Sequence, residues 1–135
     1  MRTPPTTIAL LALVLAASCA SEPETVLQSD LPQVPGLAPR DSSGIRQDAG
    51  RVIGGQFAYK GFVKDLRESV SATKARYESS GWRLWSETIT GATAVLEFRK
   101  DTRTARVELI RNEVQPRMST AVLTVSERDP GAVTP

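Results

Sequence analysis

From Trp82 to Val125 the apolar residues of this chain recur at every second position, and no other feature limits its folding so sharply. Trp82 and Leu84, then Ala94, Leu96 and Phe98, then Ala105, Val107 and Leu109, then Ala121, Leu123 and Val125 make four runs separated by turn residues. A period of two gives each run one side for a core and one for water, the pattern of an antiparallel meander. The register of the central hairpin can be tested internally. With the turn at Asp101-Thr102, Ala94, Leu96 and Phe98 fall opposite Leu109, Val107 and Ala105, and Glu97 falls opposite Arg106 as an attractive cross-strand pair. A slip of one residue would turn the whole apolar set into water. For Leu84 to share the side of Leu96, the preceding hairpin needs an odd loop around Thr90-Gly91-Ala92, with Gly91 at positive φ.

Upstream of Gly81 the period is different. Val63, Leu66, Val70, Thr73 and Tyr77 recur at spacings of three and four, which predicts an amphipathic helix over Phe62 to Ser80. Asp65 and Glu68 lie in its first half, Lys74 and Arg76 in its second, as the helix dipole favours, and Gly81 supplies the left-handed stop. Before it, Arg51 to Lys60 reads as a strand with Ile53, Phe57 and Tyr59 on one face and a bulge or close approach at Gly54-Gly55. The fold class is therefore α+β: one helix packed on one face of a mostly antiparallel sheet, in the order strand-helix-strand-strand-strand-strand. The first strand can pair antiparallel with the last strand or parallel with the second.

The other end of the chain fixes its address. Ile8 to Ala17 is an unbroken apolar run behind Arg2, closed by small residues before Cys19. A positive end, an apolar middle and a small-residue exit make a secretory signal. About ten apolar residues cannot span a bilayer, which needs roughly twenty. Leu15-Ala16-Ala17-Ser18-Cys19 resembles the lipobox of bacterial lipoproteins, with Ala16 where leucine is usual and Leu15 one place further back. The resemblance implies cleavage before Cys19, a diacylglycerol thioether with palmitate-type acylation there, and, since Ala20 is not aspartate, an outer-membrane location facing the periplasm. An ordinary signal cut after Ala20 is the competing reading. Over Tyr59 to Phe98 the chain also loosely resembles small bacterial lipoproteins of unassigned function, which names no active residue.

Residues 20 to 50 carry Pro23, Pro32, Pro35 and Pro39 with Gly36, Ser42, Ser43 and Gly44, and no period survives in them. Such a composition reads as a flexible linker, acidic by Glu22, Glu24, Asp30, Asp41 and Asp48 against Arg40 and Arg46. Leu31 to Leu37 is its one partly apolar patch, able to lie against the domain as an extended strip. The expected organisation is a signal over 1–18, a lipid-anchored linker over 19–50, one α+β domain over 51–128 and a disordered tail over 129–135. The domain is modestly basic, fourteen Lys and Arg against ten Asp and Glu from Arg51 onward. That balance favours solubility, with weak attraction to anionic headgroups as a second reading.

Chemistry is sparsely signalled. The chain has no His and a single Cys, so the commonest general base, the commonest metal ligand and an intrachain disulfide are all missing. There is no phosphate-cradling glycine loop, no nucleophile elbow and no acidic calcium loop. No catalytic residue, cofactor or metal site is expected. A carboxylate-dependent enzyme would have to draw on Glu87, Glu97, Glu108 or Glu113, which share strand faces with arginines. The alternating pattern instead leaves Trp85 on the outer face with Val95, Ile110 and Val122, among Arg83, Glu87, Glu97, Arg99, Arg106 and Glu108. A large aromatic on an open, charge-rimmed sheet face marks a contact surface, with Trp85, Val95, Ile110, Val122, Arg99 and Arg106 as its candidates. Trp85 lying over neighbouring arginine stems and binding nothing is the plainer reading. The basic hairpin tip Arg99, Lys100, Arg103 and Arg106 could grip a phosphate but lacks the interleaved aromatics of a nucleic-acid reader. The expected function is a lipid-anchored, non-catalytic envelope module. Its partners are the membrane, through the lipid on Cys19, and an envelope protein or the cell wall, not nucleic acid. A small carboxylate-dependent envelope enzyme is the alternative.

Overall fold

The computed structural model describes residues 25–128 and, at the amino end, Arg2. The expected signal 1–18, Cys19 and the tail 129–135 lie outside the described residues, Arg2 apart.

The architecture is α+β. Strands β1 (Leu37–Asp48), β2 (Arg51–Gly61), β3 (Arg83–Thr90), β4 (Thr93–Lys100), β5 (Arg103–Ile110) and β6 (Ser119–Glu127) form one antiparallel sheet in the order β1-β2-β6-β5-β4-β3. Helix α1 (Leu66–Ser79) connects β2 to β3. From β2 onward the order is the expected one. The open choice for the first expected strand is resolved: β2 pairs antiparallel with the last strand, Phe57 opposite Leu123 and Tyr59 opposite Ala121.

The β4–β5 hairpin has the register set by its apolar residues, with Leu96 opposite Val107, Phe98 opposite Ala105 and Glu97 opposite Arg106. Leu96, Phe98 and Val107 are fully buried. The helix is shorter than the stripe implied, because Asp65 is its N-cap and accepts from the Glu68 amide at 3.1 Å. It ends in a Schellman motif: Gly81 takes φ +86°, the Trp82 amide donates to the Tyr77 carbonyl and the Gly81 amide to Glu78. Val70, Thr73 and Tyr77 are buried, and Tyr77 stacks on Phe98 with 4.4 Å between ring centroids.

The helix lies over β3, β4 and β5. A different element covers the other half of the inner face, and here the expected linker over 19–50 is corrected. The described residues are folded from Thr25 on, well ahead of Arg51. Residues 25–36 run as a 3-10 turn (Val26–Gln28) and an irregular extended path that buries Val26, Leu31 and Val34, with Leu37 following at the head of β1. No period marks this path because its backbone is satisfied by side chains of the domain. The Trp82 indole donates to the Asp30 carbonyl at 3.0 Å and the Tyr77 hydroxyl to the Pro32 carbonyl at 3.0 Å. The Tyr59 hydroxyl donates to Gln33 Oε1 at 2.6 Å. The strand β1 that follows is an exposed edge, polar on both faces, so alternation is absent from it too. The expected boundary at residue 50 falls on the tip of the β1–β2 hairpin, where Ala49 and Gly50 take φ +48° and +77°, the two positive values of a primed turn.

Two bulges alter facing. Gly55, at φ +144°, sits where the β1–β2 register shifts, so Val52 and Phe57 both point inward and Ile53 does not share their face as expected. The β3–β4 hairpin closes on a two-residue turn, Thr90 opposite Thr93 with Gly91 at φ +58°, and not on the odd loop expected. Leu84 still lies opposite Phe98, because a bulge at Trp85 restores the parity. The same bulge moves Glu87 from the expected outer face to the helix side, where it meets Lys74 Nζ at 3.0 Å.

Candidate functional site

The β4–β5 turn end of the sheet holds two cross-strand pairs of like charge, one on each face. On the inner face Lys100 is opposite Arg103; on the outer face Arg83 is opposite Arg99. Like charges directly opposed cost on the order of 0.2–1 kcal/mol unless something neutralises them.

The inner pair is neutralised from within. Arg103 continues the inward register of Ala105, Val107 and Leu109, and its side chain is 1% exposed. Its guanidinium donates to both carboxylate oxygens of Asp30, at 2.8 and 2.6 Å, and to both of Asp101, at 3.0 and 2.9 Å. It also reaches the Val52 carbonyl at 3.2 Å and lies 4.9 Å from the centre of the Trp82 ring. Lys100 Nζ adds a contact to Asp30 at 2.9 Å and donates to the Ser80 carbonyl at 2.8 Å. The hydrogen bonds from Arg103 hold the Asp30 carboxyl well below the usual carboxylate range, against the opposing effect of burial. They lower Asp101 in the same way, and the carboxylates in turn hold Arg103 firmly protonated. This cluster bolts the amino segment to the sheet.

The outer pair has no such partner set. Arg83 meets no carboxylate within ion-pair distance among the described residues, and Arg99 has only Glu97 at 3.3 Å, itself a surface contact. Beside them the bulge turns Trp85 outward until it is 57% exposed, with the Arg99 guanidinium 3.7 Å from its ring centre. The Arg99 Nε–H is covered by this stack and meets no acceptor among the described residues. Gly81, Arg83, Trp85, Arg99, Lys100, Asp101 and Arg128 line an open concavity of about 370 Å³. Arg128 is positioned by donating to the Asp101 carbonyl at 2.6 Å. Cationic guanidinium forks around an exposed indole suit a small anion with several acceptor oxygens.

The residues expected to form one contact surface are divided. Trp85 and Arg99 come together. Val95 and Val122 flank Glu108 in one row at mid-sheet, half-buried. Arg106 lies opposite Glu97 and 3.6 Å from Glu108. Ile110 stands in the row of Thr93 and Thr120, six residues along β4 from Arg99, or roughly 20 Å away. Exposed Phe62, Val114 and Met118 belong to that opposite end as well, where the Val63 amide bonds Pro116. Of the acids weighed for catalysis, Glu87, Glu97 and Glu108 each sit within 4 Å of a Lys or Arg.

Arg83 was expected on the outer face around Trp85; Arg128 was not expected to meet it. The bulge at Trp85, which turns Glu87 to the helix side, leaves no trace in a run that reads as plain alternation. Arg103 could have been found, since stepping back one place from Ala105, Val107 and Leu109 puts an arginine at a core position. Asp30, its partner, carries no local signal. Among the described residues no three His, Cys, Asp or Glu side chains gather as metal ligands, and no helix is long and apolar enough to cross a membrane. No family model matches the chain, and no curated protein or solved structure does either.

Proposed function

We propose that the chain is a lipid-anchored, non-catalytic module of the bacterial cell envelope, held through Cys19 at the outer membrane facing the periplasm, and that it acts by binding at the Trp85 end of its outer sheet face. The signal and lipobox-like order before Cys19 support the address. The observation that carries the binding role is Trp85 itself: a bulge spends a residue to hold a large indole 57% exposed at the rim of a concavity beside two opposed arginines. The carboxylates weighed for catalysis support binding, because Glu87, Glu97 and Glu108 each lie within 4 Å of a Lys or Arg.

The anchor is tested by labelling cells with radioactive palmitate: wild-type chain takes up label and Cys19→Ser does not. The binding role is tested by photocrosslinking from the Trp85 end in whole cells. Adducts present in wild type and lost in Trp85→Ser support it. Adducts unchanged by Trp85→Ser would remove Trp85 from the binding site.

A further inference from the structure

We propose that the notch formed by Arg83, Trp85, Arg99 and Arg128 binds the phosphate of an anionic phospholipid headgroup in the membrane that carries the chain. The proposal rests on the lipid-anchored reading above and names the ligand of the same site.

Three observations converge on a membrane phosphate. The first is charge: Arg83 and Arg99 oppose each other across two strands and Arg128 reaches the same concavity, against Glu97 on Arg99 at 3.3 Å and an Asp101 whose carboxylate is turned to Arg103. Asp101 serves Arg103 and Arg51, and Asp30 serves Arg103 and Lys100. A phosphate oxygen between the forks would relieve the repulsion, and a small movement of Trp85 would let it accept from the Arg99 Nε–H. The second is Trp85, an amphipathic ring turned out to solvent, the side chain that settles at headgroup depth.

The third is distance from the anchor. Five residues separate Cys19 from Thr25, the first described residue of the fold, so the bilayer attachment lies within roughly 20 Å of it, where a linker of 31 residues would have allowed about 100 Å. Thr25 lines a shallow depression with Ser79 and Ser80 at the carboxyl end of α1. The Ser80 carbonyl accepts from Lys100, and Lys100 forms a wall of the notch. Thr25 bridges Pro32 and accepts from Gln33, which bonds Tyr59, so the anchor enters the domain over the helix-covered inner face, within that reach of the notch, whereas the exposed Phe62, Val114 and Met118 stand at the end of the strands away from Trp85. Polybasic surfaces held this close to a bilayer gain from anionic lipid and lose that gain in salt.

The test uses the mature lipidated chain in vesicles of phosphatidylcholine, with or without about one third phosphatidylglycerol. Acrylamide quenching reads Trp85, because the other tryptophan, Trp82, is buried, and Trp85→Phe identifies the signal. Phosphatidylglycerol should cut quenching about threefold, and Arg83→Ser, Arg128→Ser or high salt should each restore it. Equal quenching on the two vesicle types would overturn the proposal. So would shielding by millimolar inorganic phosphate without any effect of phosphatidylglycerol, which would assign the notch to a soluble anion. Shielding found only in native envelopes would instead assign it to a protein or wall partner. Flotation on phosphatidylcholine vesicles reads the anchor separately: loss of flotation in Cys19→Ser supports it, and no flotation of wild type would break the lipid-anchored reading without touching the headgroup measurement.

Discussion

Lys100 opposite Arg103 and Arg83 opposite Arg99 are the same arrangement used twice, at one end of one sheet, on its two faces. The inner pair is closed by Asp30 and Asp101 and buried beneath Trp82; the outer pair is left open beside Trp85. The difference lies in where neutralising charge comes from. Asp30 arrives from an element 73 residues away in sequence and converts a repulsive pair into the clamp that holds the amino segment. No comparable carboxylate reaches Arg83 among the described residues, and Arg99 has only the surface contact with Glu97. One pair holds the structure together; the other is the one proposed to meet an anion from outside.

The two pairs should then break differently, beginning with the largest effect. Arg103→Ala strands two carboxylates and opens a cavity under Trp82, and should cost about 3–5 kcal/mol in urea unfolding of the domain, with no loss of selectivity for anionic vesicles in the molecules that remain folded. Tyr77→Phe leaves the Pro32 carbonyl without its donor and should cost about 1–2 kcal/mol, read as faster proteolysis within residues 25–36 than in the β4–β5 hairpin.

The inner cluster also sets the response to acid. Asp30 titrates well below its ordinary value of 3.8, so its stabilisation is complete above that value and is lost as pH falls toward the folded value. Below about pH 4 the unfolded chain takes up a proton that the folded one refuses, and stability should drop by up to about 1.4 kcal/mol per pH unit from this group. Asp30→Asn should lower the neutral plateau and flatten that acid limb, measured as urea midpoints between pH 3 and 7.

The outer pair should give the smallest change in stability and the opposite sign. Arg83→Ser removes one member of a like-charge cross-strand pair and should leave the domain unchanged or more stable by a few tenths of a kcal/mol, while abolishing the shielding of Trp85 by anionic lipid. A loss of more than about 1 kcal/mol would mean that the outer pair, too, is part of the scaffold.

The β4–β5 hairpin, the helix stripe and the antiparallel class were legible because each rests on a local period, and a slip would expose Leu96, Phe98 and Val107 together. What escaped was set by contacts distant in sequence. Residues 25–36 read as linker because Pro32, Pro35 and Gly36 suppress any period, yet they fold where Tyr59, Tyr77, Trp82 and Arg103 supply donors for them. The candidate site was half legible. Trp85, Arg83 and Arg99 stand together as the strand faces implied, but the bulge at Trp85 took Glu87 away, and Ile110 lies too far along the strand to share a contact.

The whole placement of the notch near its anchor depends on residues 25–36 being part of the domain, and amide hydrogen exchange tests that most directly. The Val26 amide donates to the Leu31 carbonyl at 2.7 Å and the Leu31 amide to Ser29 Oγ at 3.1 Å. Both amides should exchange within about tenfold of those of Leu96 and Val107, and Asp30→Ala should release the first two selectively. Exchange of Val26 and Leu31 at the rate of unstructured peptide in the wild-type chain would contradict the account.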